Sequence, residues 1–200
     1  MSRLIIGITG GIASGKSTFL SIMQEQGFLT ISADNIVKEL YKKDKKGYQK
    51  IIELRLDNIL DKEQNIDIKR LRELVFSKPE IKNKIELAIH PLVIKELNKL
   101  IKQSDKDKIA IEIPLLFEAK LEKIFSHTVT ISAKKGLMIQ NIIQRYGIQE
   151  KEAEKMLENQ MDIEKKVERS TFVLQNNDSY DAFVSKAKAL STAPLRADLE

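Results

Sequence analysis

The chain has 200 residues, 42% of them hydrophobic, enough to bury one globular core with a small appended lobe. With no cysteine and two isolated histidines, it excludes a disulfide framework and a thiolate zinc site, and argues against a histidine metal cage. Its net charge of +5 is spread over lysines alternating with glutamates, as in Lys151-Glu152 and Glu154-Lys155, with no basic stripe among aromatics, no leader pattern and no long apolar run; a soluble, cytoplasmic protein with neither nucleic-acid nor membrane partners is expected.

Leu4 to Ile8, rich in isoleucine and followed by glycines, reads as a buried strand. Lys16 to Gln26 is helical and stops at Gly27, and Phe28 to Ile31 resumes an extended apolar pattern. Strand, glycine turn, helix and strand form a βαβ unit, hence a parallel sheet. The next buried strand is Ile109 to Ile113, with 77 residues between it and Ile31, far more than one crossover needs. Helical patterns fill that gap at Asn35–Lys42, Tyr48–Ile59, Ile68–Phe76 and Pro91–Lys102, so a helical lobe is inserted after strand two. His127 to Ile131 is a fourth strand and Thr171 to Leu174 a weaker fifth. Between them run amphipathic, highly charged helices, the second at Gln149–Gln160, whose thin apolar faces predict a loosely packed, mobile lid. Ser191 to Glu200 lack periodicity and are expected to fray.

Gly10 to Ser17 satisfy the phosphate-loop pattern G-x-x-x-x-G-K-[ST], between a predicted strand and a predicted helix. Glycines let the backbone turn its N–H groups onto a phosphate at the positive end of the helix dipole. The loop Gly11, Ile12, Ala13, Ser14, Gly15, Lys16, Ser17 and Thr18 is thus a candidate ATP site, with Lys16 on the β- and γ-phosphates and Ser17 on Mg²⁺. Asp34 lies just past strand two, where a carboxylate can deprotonate an attacking hydroxyl; it equally suits the N-cap of the following helix. Glu112, at the end of strand three, is a candidate for the metal's water shell or a satisfied edge carboxylate. His90-Pro91 looks like a helix start, with substrate contact the lesser reading. Arg145 suits either a phosphate clamp or the dipole at a helix C-terminus.

Together these motifs resemble dephospho-CoA kinases. The resemblance runs from about residue 3 to 190 and rests on Gly7 to Thr18, Ser32-Ala33-Asp34, Leu71-Arg72 with Val75-Phe76, His90-Pro91-Leu92, Ile113 to Glu118, Gln160, Val173-Leu174 and Asn176. It implies an α/β, three-layer P-loop fold with a five-stranded parallel sheet, a helical substrate lobe and a helical lid. The division expected is a core of residues 1–34 and 108–190, with the lid at about 134–168, an acceptor lobe at 35–107 and a tail at 191–200. The implied reaction is ATP-dependent phosphorylation of the ribose 3′-hydroxyl of dephospho-CoA. The resemblance also makes Asp34 the catalytic aspartate, Arg145 the lid arginine and Asn176 an adenine-side contact, with Thr9, Arg72, His90, Pro114, Leu115 and Leu116 on the acceptor side. Five positions depart from the usual pattern: Ala13 for a frequent glycine, Ser32 and Thr171 for aspartates, Glu112 for an aspartate and Asn141 for a lid arginine.

Two other readings fit the phosphate loop. Another small-molecule or nucleotide kinase would share the ATP end and differ in the acceptor lobe. A GTPase switch is disfavoured, because no Asn-Lys-x-Asp occurs and Asp44 to Gly47 follows a helical pattern, not a strand.

Overall fold

The first strand, β1 (Leu4–Gly10), divides its side chains between two layers. Leu4, Ile6 and Ile8 are buried in one apolar cluster, while Gly7 and Thr9 face the opposite side, against Leu116 and the Pro114 carbonyl. The computed structural model describes residues 3–158 and 161–192, and the chain divides into two compact units, Met1–Ser32 with Lys106–Glu200, and Ala33–Asp105.

In the first unit, β1, β2 (Leu29–Ser32), β3 (Lys108–Glu112), β4 (His127–Ser132) and β5 (Phe172–Gln175) form a parallel sheet in the order β2-β3-β1-β4-β5. Helices α1 (Lys16–Glu25) and α9 (Tyr180–Thr192) cover one face, where Phe19, Ile22, Met23, Phe183 and Ala187 meet Ile6, Ile8, Val129 and Ile131. Burial of such side chains contributes about 1.5–3 kcal/mol each. On the other face lie the Pro114–Phe125 segment and α8 (Ile163–Arg169), completing three layers.

The second unit is helical: α2 (Ala33–Leu40), α3 (Lys46–Glu53), α4 (Ile68–Ser77) and α5 (Pro79–Gln103). Each of the first three packs on α5. Asp67 caps α4, its carboxylate accepting from the Lys69 and Arg70 N–H groups at 3.0 and 3.1 Å.

Several expectations are corrected here. Pro91 does not begin a helix; Pro79 does, and Pro91 lies inside the 25-residue α5. The interior proline is tolerated because Ile85, Ile89, Val93 and Leu97 carry one buried stripe across it. Helix α3 ends at Glu53, well before Ile59, because Arg55 and Asn58 take left-handed conformations. Asp34 is not an N-cap: Ala33 already opens α2, putting Asp34 inside its first turn. Ser191 and Thr192 belong to α9, and Ser191 is buried; residues 193–200 lie outside the described residues, as does Gln160. Nor are the charged helices before β5 all loosely packed. Helix α6 (Lys135–Tyr146) buries Met138, Ile139 and Ile142, and α8 buries Lys166, leaving α7 (Glu150–Glu158) with Ala153 as its single buried residue.

Candidate active site

Strand β1 ends at Gly10, whose φ of 144° and close approach to β4 leave no room for a side chain: a Cβ there would sit 2.3 Å from the Ile131 carbonyl oxygen. The loop then closes on itself, with the Ser14 N–H donating to the Gly11 carbonyl at 3.2 Å. It enters α1 through Gly15 at φ 105°, and no side chain caps that helix. Uncapped N–H groups at the positive end of a helix are a site for an anion. Lys16, only 7% exposed, folds its ammonium over the loop, donating to the Gly10 and Gly11 carbonyls at 3.2 and 2.7 Å. The Ser14 hydroxyl is buried in the same loop without a hydrogen-bond partner. An orphaned hydroxyl, a buried ammonium and an uncapped helix start match what a polyphosphate requires. Ser17 is exposed and Thr18 half-buried in the first turn.

The neighbouring elements fix this loop from two sides. The Asn176 side-chain amide, just past β5, donates to the Ser14 carbonyl at 2.9 Å, while its backbone N–H bonds Ser132 at 2.7 Å. Next to it, Asn177 Oδ1 accepts from the Lys134 N–H at the start of α6, at 2.8 Å. Ile12 and Ala13 pack into the apolar cluster between α6 and α7. Arg145 is exposed in the last turn of α6, its guanidinium 5.5 Å from the Tyr146 ring centroid.

Glu112 is not an edge carboxylate. It ends β3, a central strand, where it is buried opposite Ile8 of β1 and Ser32 of β2. Among the described residues no three histidine or acidic side chains converge as a metal cage. Mg²⁺ takes most of its ligands from water and substrate phosphates and one or two from protein, and the Ser17 hydroxyl and Glu112 carboxylate are oxygen donors of that kind. Thr9 Oγ1 donates to the Pro114 carbonyl at 3.1 Å, and Leu116 is fully buried beside Gly7 while Leu115 is half-buried.

The remaining candidates lie in the helical unit. Asp34 and Arg72 are exposed on α2 and α4, and His90 is half-buried on α5, the helix on which both pack. Two side chains that tie the elements around the loop together are not foreseen from the sequence. Asn177 lies next to Asn176, and only its bond to Lys134 distinguishes it. Lys166 sits in a run of charge that looks solvated, yet is wholly buried.

A family model of dephospho-CoA kinases matches residues 4–182. The chain belongs to the dephospho-CoA kinase family. A dephospho-CoA kinase of Fusobacterium nucleatum is 36% identical over 189 residues, covering 94% of this chain and 97% of the relative. Among solved structures, a Thermus thermophilus protein superposes with a TM-score of 0.79 at 30% identity, over 95% of this chain and 97% of its own. The dephospho-CoA kinase from Campylobacter jejuni does so with 0.66 at 32% identity, over 97% and 98%. This dephospho-CoA kinase family member is therefore an enzyme, a P-loop kinase. Among its described residues no helix is long and apolar enough to cross a membrane.

Proposed function

We propose that this kinase transfers the γ-phosphoryl group of ATP to the ribose 3′-hydroxyl of dephospho-CoA, giving coenzyme A and ADP in the cytoplasm. The observation that carries the ATP end is the cradle itself: an uncapped α1 N-terminus, the unpartnered Ser14 hydroxyl and the buried Lys16 ammonium on one loop. Family membership carries the acceptor.

In this reading the loop residues Gly11 to Thr18 wrap the ATP phosphates, and Lys16 moves from the loop carbonyls onto the β- and γ-phosphates, holding them in line for attack. Asn176 stands on the adenine side. Ser17, with Glu112, holds the Mg²⁺ that offsets phosphate charge when bound. Asp34 takes the proton from the 3′-hydroxyl as it attacks. Arg145 stabilises charge spreading over the transferred group, and residues 134–168 act as the lid. Thr9, Arg72, His90, Pro114, Leu115 and Leu116 receive the acceptor, with residues 35–107 as its lobe.

The test is ADP release with purified protein, ATP and Mg²⁺ against dephospho-CoA, adenosine, nucleoside monophosphates and shikimate. Turnover with dephospho-CoA well above the others is expected; activity confined to another acceptor overturns the assignment.

A further inference from the structure

Lys166 has no exposed side-chain surface, and its ammonium has two partners drawn from one short segment. It donates to the Pro114 carbonyl at 2.7 Å and pairs with Glu118 Oε1 at 2.9 Å. One cation thereby joins the first and last residues of Pro114–Glu118 and sets how the segment curves. Each partner is itself held from a second direction. The Pro114 carbonyl also accepts from Thr9 Oγ1 at 3.1 Å, on the strand that runs into the phosphate loop. Glu118 Oε1 also accepts from the Met161 N–H at 3.2 Å.

The lysine's own backbone is fastened to the sheet: its carbonyl accepts from Thr130 Oγ1 of β4 at 3.3 Å and from Ser170 Oγ at 2.8 Å. Burying an ammonium costs several kcal/mol before its partners offset it, and an apolar side chain of similar length would fill the same space without that cost. What an apolar residue lacks is the ability to grip a carbonyl and a carboxylate at once.

We infer that Lys166 is a positioning residue for the phosphoryl acceptor, holding Pro114–Glu118 in register with Thr9 beside the phosphate loop. The inference rests on the reading that Pro114, Leu115 and Leu116 receive the acceptor. It acts through those residues and not on the reacting atoms, so its loss weakens acceptor capture and spares ATP.

The test compares steady-state kinetics of the wild type, Lys166→Met, Leu115→Ala and the double variant Lys166→Met/Glu118→Gln, varying ATP and dephospho-CoA separately. The double variant leaves no unpaired buried charge, so it folds if the single variant does not. Both Lys166 variants are expected to raise KM for dephospho-CoA by about tenfold or more with KM for ATP within about twofold of wild type. A double variant with wild-type KM for the acceptor, or equal rises in both KM values, overturns the inference. Leu115→Ala separates the two layers of argument. A raised acceptor KM there, with none in the Lys166 variants, defeats the role of Lys166 alone. No change in any of them defeats the acceptor reading of the segment, and the inference with it.

Discussion

The side-chain amide of Asn141 donates to the Ala13 carbonyl at 3.2 Å, tying the middle of α6 to the phosphate loop. Both stand where the sequence departs from the pattern that the resemblance implies, and the two departures meet. Ala13 sits at φ 58°, a left-handed conformation that costs a residue with a Cβ about 1–2 kcal/mol. Asn141 and the packing of Ile12 and Ala13 against α6 and α7 hold it there. Ala13→Gly is expected to raise stability by about 0.5–1 kcal/mol, the relieved strain less the entropy a glycine adds to the unfolded chain. Asn141→Ala is expected to lower it by about 1 kcal/mol. Urea unfolding of the two variants checks both signs, and a destabilised Ala13→Gly contradicts the strained geometry.

The Ser14 hydroxyl yields a prediction in which stability and affinity move apart. It is buried without a hydrogen-bond partner in the loop, so Ser14→Ala removes an unsatisfied group and is expected to leave the melting temperature unchanged or raised. If that hydroxyl serves a phosphate oxygen, a hydrogen bond to a charged group is lost, and ATP affinity falls about tenfold or more. Calorimetric titration with a non-hydrolysable ATP analogue, beside a thermal melt, reads both quantities. Wild-type affinity in this variant removes Ser14 from the phosphate cradle.

Asp34 separates a catalytic role from a helical one. A carboxylate in the first turn of α2 is worth about 0.3–1 kcal/mol through the helix dipole, so Asp34→Asn has little effect on folding. As the base, its loss is expected to lower kcat by about 10²–10⁴ with KM for ATP nearly unchanged. Single-turnover phosphoryl transfer measures the step directly, and near-wild-type kcat in the asparagine variant withdraws the assignment.

Which features were legible follows from how local their causes are. Strands β1, β3 and β4 stood out because apolar runs rich in β-branched residues and bounded by turns report burial directly, β5 less so because it buries only Leu174, and the phosphate loop because its geometry is set by a glycine pattern between strand and helix. Asp34 was legible as a residue but not in its place on α2, since one position decides between cap and first turn. Lys166 was illegible: its burial depends on Pro114 and Glu118, distant in sequence, while its neighbours Lys165 and Glu164 suggest a wet helix face. Thr171, a departure from the pattern that the resemblance implies, makes sense only across the sheet, where it and Thr128 exchange N–H to hydroxyl bonds at 3.1 Å in each direction. Long-range partners of this kind leave no periodic trace.

Pro91 carries the last prediction. A proline inside a helix withholds its N–H from the carbonyl four residues back, here Leu87, and crowds it with its ring, at a cost of about 3 kcal/mol relative to alanine. Leu87 is also the most exposed large apolar side chain among the described residues, at 78%, so little burial is gained at that turn. The buried stripe of Ile85, Ile89, Val93 and Leu97 holds α5 together on the opposite face. Pro91→Ala restores the missing bond without disturbing that stripe, and is expected to stabilise the helical unit by about 1–3 kcal/mol in denaturant unfolding. His90 on the same helix is tested at its own side chain: if it contacts the acceptor, His90→Ala raises KM for dephospho-CoA while KM for ATP stays put, and an unaltered acceptor KM removes it from the acceptor side.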